Sequence, residues 1–131
     1  MQRIVKSWMV IVVLVLGTQS CLRTKENECS GFMPGNADSV QAPVRVNIND
    51  SIRIKIFATL SNGCQNIAPF VPSVTGNTTR LPLIYAVNGC ICTQVITHTY
   101  AVYAIPALQR GIFTFEVVHS QGTITKTVEV L

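Results

Sequence analysis

Ser51-Ile52-Arg53-Ile54-Lys55-Ile56-Phe57-Ala58-Thr59-Leu60 puts Ile52, Ile54, Ile56, Ala58 and Leu60 at every second position. Ser51, Arg53, Lys55, Phe57 and Thr59 fall between them. A period of two is the mark of an antiparallel strand with one face on a core and one toward water. The segment is bounded as such a strand should be. Asn49-Asp50 turns into it, and Asn62-Gly63, a pair that tolerates positive φ, ends it.

The same period extends in both directions. Upstream, Val44, Val46 and Ile48 alternate with Arg45 and Asn47. Downstream, Gln65 to Ser73 is poorly patterned, and Pro69 and Pro72 demote it to a loop or an edge strand. After a turn at Gly76-Asn77, Leu81, Leu83, Tyr85 and Val87 share one face, and Asn88-Gly89 turns again. Thr97 to Ala104 is rich in Thr, Tyr and Val, and reads as a strand with Tyr100 and Val102 inward. Phe113, Phe115 and Val117 line one face of the next strand. After Gln121-Gly122, Ile124, Val128 and Val130 line the last one, with Lys126 on the same face marking a frayed or edge position. About seven short strands and no helical periodicity predict a single immunoglobulin-like antiparallel β-sandwich over residues 43–131.

The chain has 131 residues, 48% of them hydrophobic and 12% charged. That is about half the charged share of an ordinary soluble domain. Part of the excess lies at the start, where Arg3 and Lys6 precede the apolar run Trp8 to Leu16. A basic start, a short apolar run and small residues after it make a secretory signal over residues 1–20. The run is shorter than the roughly 20 apolar residues of a membrane span. The box Leu16-Gly17-Thr18-Gln19-Ser20-Cys21 resembles those of bacterial lipoproteins, which implies acylation of Cys21. Each buried methylene contributes about 0.8 kcal/mol, so several acyl chains would hold a small domain on a bilayer. Residues 21–42, polar and broken by Gly31, Pro34 and Gly35, read as a lipidated tether. Leu22 after the cysteine resembles lipoproteins sent on to the outer membrane, on its periplasmic face or at the cell surface.

Removing the signal takes Arg3 and Lys6 away, so the formal charge of +4 falls by two. The remaining basic residues are scattered, without aromatic interleaving, which argues against a nucleic-acid partner.

If Cys21 is acylated, four cysteines remain: Cys29, Cys64, Cys90 and Cys92. An even number in a small exported domain points to disulfides. Cys90 and Cys92 lie two apart on an extended chain, about 6.5 Å between Cα atoms. That is near the outer limit for a bridge, so each should pair elsewhere. Cys64 is expected to bond one of them and Cys29 the other, the choice being open. The alternative is a soft-metal site in which Cys90 and Cys92 bind an ion such as Cu(I), completed by His98 or Met33. Free or redox thiols are a further reading. No Cys-x-x-Cys precedes a helix as a thioredoxin-like role requires.

No catalytic residue is singled out. Glu26, Glu28 and Asp38 fall in the expected tether, Asp50 in a turn, and Glu116 and Glu129 at outward strand positions, so none forms a general acid–base pair. His119 beside Ser120 lacks the nucleophile elbow of a hydrolase. No phosphate-binding glycine loop is present, and no cofactor is implied.

Asn62-Gly63-Cys64, Gly89-Cys90-Ile91-Cys92-Thr93-Gln94, Gly111-Ile112-Phe113-Thr114-Phe115 and the strand Ile124 to Val130 together resemble small Bacteroidota-type lipoproteins. In that group an exported Ig-like domain carries a Gly-Cys-x-Cys-Thr-Gln stretch. The resemblance implies an envelope protein without an assigned activity. Asp38-Ser39-Val40 and Asp50-Ser51-Ile52 resemble the sites where such bacteria attach O-glycans, making Ser39 and Ser51 candidates. Three functions follow as expectations. The first is a non-enzymatic envelope lipoprotein, bound to the membrane by lipid and to an unidentified envelope protein or glycan. The second is a metal- or small-ligand-binding lipoprotein using Cys90 and Cys92. The third is an exported hydrolase inhibitor presenting Gln65–Ser73 or Pro106–Arg110.

Overall fold

In the computed structural model, which describes residues 29–131, the alternating decapeptide is a strand whose burial follows its sequence two by two. The first strands are β1 (Ser30–Pro34), β2 (Ala37–Gln41), β3 (Arg45–Val46), β4 (Ser51–Leu60) and β5 (Gln65–Ile67). Then come β6 (Ser73–Thr75), β7 (Thr78–Pro82), β8 (Ile84–Asn88), β9 (Thr97–Pro106), β10 (Gly111–His119) and β11 (Gly122–Val130). The expected signal, Cys21 and most of the expected tether lie outside the described residues.

β4 is the middle of a three-stranded antiparallel sheet in the order β2-β4-β9. Facing it is a five-stranded sheet, β3-β11-β10-β7-β6, and a small third sheet, β1-β8-β5, closes one side. The core joins Val40, Ile52, Ile54 and Ile56 from the first sheet to Leu81, Phe115, Val117, Val128 and Val130 from the second. Each such side chain contributes about 1.5–3 kcal/mol over its exposed state. Two sheets face to face over one apolar layer make a β-sandwich.

Several expectations are corrected. Among the described residues the strands number eleven rather than about seven: β1 and β2 lie in the expected tether, β5 and β6, of three residues each, are too short to show a period, and Leu81 to Val87 is divided between β7 and β8. The sandwich is not wholly antiparallel: β7 runs parallel to β10, and β3 parallel to β11. Residues 30–41 are no tether. They form β1 and β2, and Ala37 and Val40 enter the core.

Leu81 to Val87 keeps the expected face, with Leu81, Leu83 and Tyr85 buried, but it is two strands in two sheets. Pro82 has no N–H to continue a ladder. Leu83 then gives its N–H to Val118 O (2.8 Å) and accepts Gly35 N–H (2.8 Å), which carries the chain from one sheet to the other.

β9 turns the opposite way from the expectation. Tyr100 and Val102 are exposed, and Ala101, Tyr103 and Ile105 face inward. Register decides this: Ile52 opposes Ile105, Ile54 opposes Tyr103 and Ile56 opposes Ala101, so the three inward isoleucines of β4 fix the inward row of β9.

Tyr85 ties the small sheet to the larger layer. Its buried hydroxyl donates to Asn36 O at 2.8 Å and lies 3.3 Å from Thr59 O. Burial, reinforced by the negative charge of Asp38, pushes the phenol's pKa above its ordinary value. Above about pH 10 the unfolded chain loses this proton while the folded chain keeps it, so stability falls as pH rises there and is unaffected below. Tyr85→Phe should cost about 1 kcal/mol at neutral pH and flatten that alkaline limb. Urea midpoints from about pH 8 to about pH 11 would show it. An unchanged alkaline slope would contradict the assignment.

Candidate functional site

The cysteines are placed by the turn that follows β4. Ser61 N–H donates to the Gln65 side-chain oxygen (2.7 Å) and Cys64 N–H to that of Asn62 (3.0 Å), which folds residues 61–65 back and buries Cys64. Cys64 pairs with Cys92 and Cys29 with Cys90, with Cα separations of 5.3 and 4.8 Å. Two neighbouring cysteines thus tie one irregular stretch both to the end of β4 and to the start of β1. Gly63 does not use positive φ. A side chain there would overlap the Thr93 hydroxyl, and its N–H donates to Thr93 O at 2.9 Å. Gly89 does use it, with φ 120°, and donates its N–H to Cys29 O at 3.1 Å.

This arrangement leaves the soft-metal reading no free thiolate at Cys90 or Cys92. Paired sulfurs are not the thiolates such an ion needs. Met33 is engaged as well, its sulfur accepting the Gln65 amide at 3.6 Å, and His98 Nδ1 is bonded to the Thr59 hydroxyl. Of the two loops considered for an inhibitor, Gln65–Ser73 is partly β5, with Gln65 and Ala68 buried. Pro106–Arg110 leaves Leu108 exposed but buries Ala107.

A different cluster forms on the outer face of the β2-β4-β9 sheet. A register shift between Ala37 and Ser39 bulges β2 and turns Asp38 toward Thr59 of β4. Thr59 and His98 are directly opposed in the β4–β9 ladder. The Thr59 hydroxyl donates to Asp38 Oδ2 at 2.7 Å, and His98 Nδ1 lies 2.9 Å from the Thr59 hydroxyl oxygen. One hydroxyl has one proton. With that proton given to the carboxylate, the bond to His98 requires Nδ1–H as donor, which in that neutral tautomer leaves Nε2 an acceptor with no hydrogen-bond partner among the described residues.

Two residues along on the same face, Phe57 opposes Tyr100, with ring centroids 5.9 Å apart. The Lys55 ammonium lies 3.9 Å from the Tyr100 ring centroid and 4.8 Å from that of Phe57. Such a contact contributes about 0.5–1 kcal/mol at an exposed site and holds the pair of rings in place. Together Asp38, Ser39, Phe57, His98 and Tyr100 line a recess of about 320 Å³ floored by Ala58 and Thr99. It offers an aromatic wall, a carboxylate, a hydroxyl and an imidazole acceptor.

Of the candidates read from the sequence, Ser39 opens into this recess and Ser51 stands exposed at the first position of β4. Glu116 is paired with Arg80 (3.1 Å) and Glu129 with Arg45 (2.7 Å). His119 Nδ1 lies 3.3 Å from the Asn36 amide oxygen. The Asp38–Thr59–His98 chain was missed, because its members are 21 and 39 residues apart and meet only through strand register.

These features define a disulfide-bonded β-sandwich domain with a polar and aromatic recess on one outer face. Residues 54–130 match the ORF11 beta-sandwich domain, and the chain belongs to that family. The match begins within β4 and runs through β11, so β1 to β3 precede it. No curated protein and no solved structure matches the chain.

Proposed function

We propose that this protein is a non-enzymatic module of the bacterial cell envelope. In this reading it is exported by its N-terminal segment, acylated on Cys21 and held on the outer membrane. It binds an envelope protein or glycan through the outer face of the β2-β4-β9 sheet. The recess carries the binding part: an aromatic wall beside a free imidazole acceptor and a carboxylate suits recognition better than turnover. The cluster stands open to water, and Glu116 and Glu129 are each held by an arginine. Two cystines support export, because such bonds persist in oxidising compartments.

Two measurements on the full chain test this. Cys21→Ala should move the protein from the detergent phase to the aqueous phase on phase partitioning and abolish incorporation of labelled fatty acid. Retention in the detergent phase would overturn the anchor. Envelope fragments should be retained by the immobilised wild type, with His98→Ala or Tyr100→Ala weakening retention at least about tenfold, or roughly 1.4 kcal/mol. Equal retention by all three would remove the recess from the proposal.

A further inference from the structure

We propose that the free edge of β9 pairs with β9 of a second copy of this chain, antiparallel about a two-fold axis at Ala101. β9 is an outer strand of its sheet, bonded only to β4 among the described residues. Its ten residues, Thr97 to Pro106, include no Lys, Arg, Asp or Glu. An outer strand that is long, apolar and uncharged is a template for another strand unless something blunts it.

The other outer strands are blunted. β3 has two residues, and β5 and β6 three each. β1 ends in Pro34, and β2 is bulged beside Asp38. Among the described residues only β9 offers a long regular ladder.

The backbone direction fixes the register. Ala107, next in the β4–β9 alignment, gives its N–H to Asp50 O at 2.8 Å. Odd-numbered residues of β9 therefore face β4, because bonded and unbonded pairs alternate along an antiparallel ladder. His98, Tyr100, Val102 and Ala104 turn their N–H and C=O groups to the free side, and no other backbone group among the described residues bonds them. An axis at Ala101 matches Tyr100 with Val102 of the second copy and His98 with Ala104. Each of these free groups then finds a partner. Moving the axis to Val102 would set His98 against Pro106, which has no N–H to give.

Side chains agree with this register. Ala101 would meet itself at a non-bonded position, where Cα atoms approach to about 4.5 Å and a small residue fits. On the outer face Tyr100, 55% exposed, would lie against Val102, 45% exposed. An aromatic beside a β-branched residue is a favourable cross-strand pair. The absence of charge also means that the strand meets no like charge in its own copy. A single patch that contacts itself about a two-fold closes as a dimer.

The test is cross-linking of the full chain left in the envelope of an expressing cell. Ala101→Cys should form at least about ten times more covalent dimer on a non-reducing gel than wild type or Ala104→Cys, because only position 101 meets itself within disulfide reach. Adding Val102→Pro should abolish that band. Its nitrogen faces away from β4, so proline is tolerated in the isolated sheet but cannot donate across the new edge. Tyr100→Lys, which leaves the backbone unchanged, should lower the yield by setting two like charges diagonally across the axis and by replacing the Tyr100–Val102 pair. Equal yields from positions 101 and 104 would overturn the proposal. A band that survives Val102→Pro and Tyr100→Lys would do the same.

Discussion

Replacing Cys64 and Cys92 together by alanine should lower the melting temperature of the full chain by about 15–25 °C. The bridge closes a segment of 28 residues. The lost entropy of the unfolded chain amounts to about 3.5 kcal/mol for that length. For a domain of this size, 1 kcal/mol corresponds to roughly 4–8 °C. Alanine rather than serine is the informative choice at Cys64. That side chain is 8% exposed, and a buried hydroxyl would add a desolvation cost of its own.

The Cys29–Cys90 bridge spans 61 residues, yet chain entropy makes it only about 0.7 kcal/mol more stabilising. Length therefore does not decide which bridge matters. Attachment does: Cys64 lies directly beyond β4, the central strand of its sheet, whereas Cys29 precedes the exposed β1. Thermal melts of the two double variants, compared with the reduced wild type, should rank the Cys64–Cys92 loss as the larger. A shift below about 5 °C for that pair would mean that the ladder of β4, not the bridge, holds residues 61–65.

How much could be read in advance depended on whether a strand's two faces differ in composition. β4 was legible because its isoleucines occupy one parity and Arg53 and Lys55 the other. β10 and β11 were legible for the same reason, through Phe113, Phe115 and Val117, then Ile124, Val128 and Val130. β9 was not. Tyr100 and Val102 stand on one parity and Tyr103 and Ile105 on the other, so hydrophobicity alone cannot say which row is inside. The answer came from its partner: the inward isoleucines of β4 oppose Ala101, Tyr103 and Ile105, and so set that row inside. β2 was hidden by its bulge, which breaks the alternation between Ala37 and Val40 and makes five structured residues look like tether. The recess was hidden twice over, since it depends on that bulge and on the register of β9. The cystines were legible as a set because an even cysteine number in a chain expected to be exported points to disulfides. Their connectivity depended on the turn at residues 61–65.

The two faces of β10 give the sharpest test of the sandwich itself. Phe115 has no exposed surface and belongs to the cluster that joins both sheets, beside Val117 and Val128 and across from the isoleucines of β4. Truncation to alanine removes a ring that surrounding backbone ladders cannot collapse to replace. It lies on the central strand pair of its sheet, bonded to β11 on one side and β7 on the other. Phe115→Ala should therefore cost about 3–5 kcal/mol, the range for an aromatic cavity in a packed core. Ile112, three positions earlier on the same strand, is 63% exposed, and Ile112→Ala should change stability by less than about 0.5 kcal/mol. Urea midpoints of the two variants at a common m-value would separate them. Both residues are large and apolar, so composition predicts similar costs, and only facing sheets predict a difference of several kcal/mol. Equal losses at the two positions would mean that the face of β10 bearing Ile112 is also covered, and that a partner or a further layer packs there.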